Sequence, residues 1–111
     1  MELVDPAPIV VYWRPGCLFS AALLRGLERE DLRFDRVDIW EDEAGAAFVR
    51  SVARGNETVP TVRVGPMALV NPSVRQVLGT VATETPERLP DGYEPPEPGV
   101  LARAVTRILG G

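Results

Sequence analysis

Residues 9–30 read IVVYWRPGCLFSAALLRGLERE. Ile9 to Trp13 form an unbroken apolar run, β-branched and aromatic, as expected of a central strand buried on both faces. Pro15-Gly16 ends it. From Cys17 onward the period changes. Phe19, Leu23 and Leu27 recur at helical spacing with Leu24 beside them, and the charges gather at the far end, which predicts an amphipathic helix. The turn between the two elements carries the chain's one cysteine.

Reading outward, LRFDRVDIW (32–40) sets Val37 and Ile39 in alternation with polar residues and predicts a second strand. Strand, helix and strand within this length make a βαβ unit, which pairs its strands in parallel. EDEAGAAFVRSVARG (41–55) predicts the second helix. Its acidic first turn suits the positive helix end, Arg50 and Arg54 suit the other, and Gly55-Asn56 stop it. TVRV (61–64) and MALV (67–70) flank Gly65-Pro66 and predict a hairpin. Asn71 is placed to cap a third helix, PSVRQVLGTVATE (72–84), with Pro72 at its first position and Val74, Val77, Leu78 and Val81 on one face. The order is βαβαββα over a domain spanning residues 1–84. TPERLPDGYEPPEPG (85–99) reads as an acidic, proline-rich connector, extended and poorly packed. VLARAVTRILGG (100–111) reads as a short amphipathic helix that packs back on the domain.

Composition narrows the chemistry. The 111 residues are 45% hydrophobic and 25% charged, so one soluble globular domain accounts for most of the chain. A net charge of -4 gives no general attraction to nucleic acid or anionic lipid. No apolar run approaches 18 residues, and MELVDPAPIVV lacks the basic start of a secretory signal. A lone thiol forms no internal disulfide, which makes a reducing, cytoplasmic location the expectation. There is no histidine, which excludes Ser–His and Cys–His hydrolases in their usual form and leaves one thiol plus carboxylates as metal ligands, so no metal site is expected.

Cys17 follows a strand and opens a helix. Free backbone N–H groups and the positive helix end there favour thiolate, the nucleophilic form, and Arg14 adds charge across the turn. Lowering a thiol from about 8.5 to near 6 leaves it mostly ionised at neutral pH. An inert, buried cysteine is the alternative reading. Position favours the first, because ligands of open α/β sheets bind at the carboxyl edge of the strands. Three residues on, where a redox pair places its second thiol, stands Ser20.

The element order, the strand-turn-Cys-x-x-Ser-helix and Thr58-Val59-Pro60 together resemble the glutaredoxin branch of the thioredoxin fold. VDIWEDEAGAAFVRSV, GNETVPTV and ALVNPS, in that order and spacing, are similar to the mycoredoxin group of actinobacteria, over roughly residues 9–82. The resemblance implies an α/β thioredoxin-like fold with a four-stranded mixed sheet flanked by helices. It implies a thiol–disulfide oxidoreductase with Cys17 as nucleophile and Pro60 as a cis-proline. Val59, with Thr58, would pair its backbone with a disulfide substrate in a strand-like manner. Arg14 matches a position that attracts a substrate carboxylate. Asn71 and Ser73 fall where the family binds the polar end of a small thiol. Phe19 lines the site, and the Ser20 hydroxyl can donate to the thiolate.

The chain departs from mycoredoxins at Ser20, where they carry a second cysteine, and at Leu18-Phe19, where they carry Gly-Tyr. Only a monothiol route then remains. Cys17 takes the small-thiol half of a protein mixed disulfide, and a second small thiol, mycothiol or glutathione, frees it. These small thiols and protein mixed disulfides are the partners implied, with no bound cofactor. Two other readings stay open. One is a noncatalytic binding module on the same fold. The other is an iron–sulfur carrier, since CLFS is similar to the CGFS of monothiol glutaredoxins, although the lysine- and glycine-bearing loop of that group has no room here.

Overall fold

The computed structural model describes residues 9–90, 92 and 105–107. The elements run β1 (Ile9–Trp13), α1 (Leu18–Arg29), β2 (Asp35–Asp38), α2 (Glu43–Val52), β3 (Thr61–Val64), β4 (Met67–Val70) and α3 (Val74–Glu84). A 3-10 turn at Pro86–Arg88 follows, and then β5 (Val105–Arg107). The expected βαβαββα order is present. β1 pairs parallel with β2, with Tyr12 opposite Val37, and antiparallel with β3, with Val11 opposite Val62. β3 and β4 form the hairpin around Gly65-Pro66, with Val64 opposite Met67. These four strands make the mixed sheet expected of a thioredoxin-like fold, in the order β2-β1-β3-β4.

The strand period sorts the core onto two faces. Ile9 and Val11 of β1, Val62 and Val64 of β3 and Leu69 of β4 meet Leu23, Leu24 and Leu27 of α1 and Val77, Leu78 and Val81 of α3. Tyr12 points the other way and joins Ile39, Val59 and, from α2, Ala46 and Val49. Both faces of β1 are therefore covered, which explains its unbroken apolar run. Among the described residues no helix is long and apolar enough to cross a membrane.

Four expectations need correction. Phe19 is not part of the buried stripe of α1: it is 69% exposed, and the stripe begins with Ser20 and Leu23. Phe19 lies in the first turn of α1 and lines a groove beside the start of α3 instead. The cap of α3 is Ser73 and not Asn71, and the helix starts at Val74. Ser73 Oγ accepts from the Gln76 N–H at 3.1 Å, and Gln76 Oε1 accepts from the Ser73 N–H at 2.8 Å. This reciprocal box satisfies two donors, whereas Asn71 sits in the left-handed region at φ 53°.

The third correction concerns residues 85–99. The packed unit runs past Glu84: Thr85 is buried, its N–H bonds the Val81 carbonyl at 2.8 Å, and Leu89 packs on the α1/α3 core. Pro86 starts a turn there because it needs no N–H partner. The fourth concerns the expected C-terminal helix. Within it, Val105–Arg107 is a strand, antiparallel to β4, with Ala68 opposite Thr106, and the sheet gains a fifth member. Val105 and Thr106 are β-branched, and the outer edge of β4 offers unpaired backbone groups that a short lone helix would leave unused. The remainder of 85–99 and of 100–111, together with residues 1–8, lies outside the described residues.

Candidate active site around Cys17

The end of β1 delivers the chain to the carboxyl edge of the sheet, where Pro15 and Gly16 turn it into α1. Gly16 has φ +82°, a left-handed conformation that favours glycine, and no atom lies within 4 Å of where its side chain would start. The space beside Gly16 is thus open. Cys17 is the N-cap of α1, in extended conformation. Its sulfur accepts from the Ser20 N–H at 3.5 Å, as a capping oxygen would. Its thiol faces the Val59 carbonyl at 3.7 Å. Cys17 is partly buried and packs beside the α2 side of the core.

The Val59–Pro60 bond is cis, as the resemblance implies. The Pro60 carbonyl accepts from the Asn71 N–H at 2.7 Å, and the Thr58 carbonyl from the Thr61 hydroxyl at 2.8 Å. The first bond ties the loop before β3 to the end of β4, and the second fastens that loop to the start of β3. Cys17, Thr58, Val59 and Pro60 therefore converge, and Asn71 is joined to them through Pro60.

The Cys17 thiol lies below its ordinary value. The Ser20 side chain contributes most; the backbone N–H groups of Ser20 and Phe19 and the charge of Arg14 add smaller amounts, and partial burial opposes them. The Ser20 hydroxyl is buried and, the Cys17 sulfur aside, has no hydrogen-bond partner among the described groups. Ser20 is 1% exposed, which corrects its expected role in binding substrate: it can act on a ligand only through Cys17.

A groove of about 210 Å³ lies between the first turns of α1 and α3, lined by Phe19, Ala22, Leu23, Asn71, Pro72, Ser73 and Val74. It brings three expected residues, Phe19, Asn71 and Ser73, to one wall-to-wall space. The Ser73 side chain already serves its own helix through Gln76. Arg14 turns toward Trp40, with its guanidinium carbon 5.6 Å from the ring centroid. Trp40 is 64% and Leu18 83% exposed. Sequence reasoning missed this apolar rim. Its signal was Trp40 itself, an aromatic residue in the polar stretch WEDE after a strand.

This arrangement can hold a sulfur as an anion at a solvent-open helix start, next to a backbone carbonyl that a neighbouring extended chain can pair with. Comparison with known proteins points the same way. The glutaredoxin family profile matches residues 9–67. A Mycobacterium tuberculosis protein assigned by name to the glutaredoxins is 38% identical over 72 residues, 64% of this chain and 86% of that one. Mycoredoxin 1 of Corynebacterium glutamicum is 36% identical over 55 residues, half of this chain and 67% of that one.

Proposed function

The chain belongs to the glutaredoxin family, and we propose that it reduces mixed disulfides between proteins and a low-molecular-weight thiol by a monothiol route through Cys17. The observation that carries this reading is the Cys17 thiol at the start of α1, only partly buried, set 3.7 Å from the Val59 carbonyl and with its pKa below the ordinary thiol value. The thiolate attacks the small-thiol sulfur of the mixed disulfide, forming a bond to it and releasing the protein thiolate. A second small thiolate attacks that same sulfur, forms the small disulfide and returns Cys17 as thiolate. In sum, one small thiolate and the mixed disulfide become the protein thiolate and the small disulfide, and a single protein sulfur suffices.

In this reading Val59 presents its backbone to the substrate chain, and Arg14 and the groove bounded by Phe19, Asn71 and Ser73 receive the small thiol. Mycothiol is the first candidate for that thiol, by the similarity to mycoredoxins, and glutathione the second. The reaction suits a reducing compartment, and the cytoplasm is the location proposed. The test is turnover of a protein carrying a mixed disulfide with each small thiol, coupled to the matching reductase. Wild type is expected to release the protein thiol while Cys17→Ala does not. Equal release by both would remove the proposal.

A further inference from the structure

We propose that Arg50 is a positioning residue: through Glu57 it fixes the loop Thr58-Val59-Pro60 where Val59 meets the protein half of the mixed disulfide. This rests on the reading in which Val59 presents its backbone to the substrate chain. It adds that α2 holds that loop in place, from the sheet face opposite α1 and α3.

The loop has anchors on both sides of Val59. Downstream, the Asn71 N–H donates to the Pro60 carbonyl at 2.7 Å, and the Thr61 hydroxyl donates back to the Thr58 carbonyl at 2.8 Å. Upstream, the charged anchor is Arg50. Its Nη1 donates to Glu57 Oε2 at 2.6 Å and its Nη2 to Glu43 Oε2 at 2.7 Å, so one guanidinium spans two carboxylates. Glu43 opens α2 and Arg50 lies in its last turn. Glu43 therefore holds one arm of the planar fork along the helix and leaves the other aimed at the loop. The Arg50 carbonyl adds a second tie, accepting from the Gly55 N–H at 2.8 Å where the chain leaves α2. On the inner side of the helix, its neighbour Val49 belongs to the same buried cluster as Val59.

This network counts for little in stability. The Glu43 side chain is 81% and the Glu57 side chain 44% exposed, and exposed ion pairs contribute little to folding. Placement is more sensitive. The Val59 carbonyl stands 3.7 Å from the Cys17 thiol, and attack on a bound disulfide depends steeply on where the reacting atoms are held. A loop released at Glu57 spreads Val59 over several positions, so a bound chain presents its disulfide in line with the sulfur less often. The sulfur itself is not altered, because the groups that lower Cys17 are Ser20, Phe19 and Arg14, and none of them is on this loop.

The test uses two substrates that share one half. The first is an unstructured peptide whose cysteine carries mycothiol as a mixed disulfide. The second is the mixed disulfide of mycothiol with 2-mercaptoethanol, which has no chain to pair with Val59. Arg50→Gln and Glu57→Gln are each expected to lower kcat/KM for the peptide about threefold, through KM, which is the scale of one lost ion pair. Glu43→Gln, which leaves the bond to Glu57, should lose less. The small substrate and the alkylation midpoint of Cys17 should not change in any of them. Arg50→Glu places three carboxylates together and should be slower still with the peptide, and adding Glu57→Arg should recover part of that loss. Four results would each overturn the proposal: peptide kinetics of Arg50→Gln equal to wild type, an equal loss with the small substrate, a moved alkylation midpoint, or no recovery in the reversed pair. A wild-type chain that turns over neither substrate would instead overturn the proposed function.

Discussion

The Cys17 thiol faces the Val59 carbonyl at 3.7 Å although the two residues stand 42 positions apart. β1 and β3 are hydrogen-bonded neighbours, with Tyr12 opposite Thr61, so the turn after one strand meets the loop before the other. Every chemical expectation for this chain depends on that meeting.

The ionisation of Cys17 should be visible in folding. Its folded value lies below its ordinary one, chiefly because of Ser20. The ionised sulfur then contributes stability that is fully present above the unfolded value, about 8.5, and is lost as pH falls through the lower folded value. The difference in unfolding midpoint between wild type and Cys17→Ala is expected to shift in favour of wild type as pH rises through that window. A flat difference across it would show an unperturbed thiol.

Arg14 should matter less to the sulfur than its charge suggests. It is the smallest of the influences lowering Cys17, and its guanidinium rests over the exposed Trp40 ring. Arg14→Gln is expected to raise the alkylation midpoint by less than about half a pH unit, with the gap shrinking in high salt. The same variant should change Trp40 emission. Alkylation across pH at two ionic strengths checks the first outcome and fluorescence the second.

Packing of α1 on α3 is tight at one point. A side-chain carbon added at Gly26 would lie 2.5 Å from Val74 Cγ2. Gly26→Ala is expected to destabilise the fold by about 1–3 kcal/mol, since valine is stiff and the core is close-packed. Val74→Ala in the same chain should recover part of the loss. Urea denaturation of the four combinations measures the coupling, and strict additivity would contradict the contact.

The capping box at the start of α3 gives a separable effect. Ser73→Ala removes the acceptor for the Gln76 N–H and is expected to cost about 0.5–2 kcal/mol. Thermal unfolding measures this, and the alkylation midpoint of Cys17 should not move.

The Thr85 hydroxyl is buried without a partner at the end of α3. Thr85→Val keeps the shape and is expected to be neutral or stabilising by up to about 1 kcal/mol, with alkylation of Cys17 unchanged. A clear loss of stability would mean that this hydroxyl has a partner after all.

What could be read in the sequence was what is local. The strand run IVVYW, the leucines of α1, the valines of α3 and the Gly65-Pro66 turn each carry their own period or break. Those periods follow from backbone geometry before any tertiary contact forms. The placement of Cys17 between β1 and α1 was legible for the same reason. The loop around Pro60 was legible only through resemblance, because no local pattern says that residue 60 will face residue 17.

Other outcomes depended on what the rest of the molecule covers. A helical stripe says which residues align but not which of them the rest of the fold covers, so Phe19 aligned with Leu23 and yet stands in solvent. Asn71 and Ser73 are both good caps, and the choice fell to Ser73, whose backbone is extended, whereas Asn71 sits in the left-handed region at φ 53°. Val105–Arg107 carried a plausible helical pattern, and the open edge of β4 drew it into the sheet. Burial of Ser20 beside the sulfur and the pairing of Arg14 with Trp40 are likewise tertiary facts. The sequence by itself determined the elements and the kind of group at the site, because hydrogen-bond periods within a segment are short-range. Only the folded structure decided which groups meet and which face water, because those relations are set by packing between segments far apart along the chain.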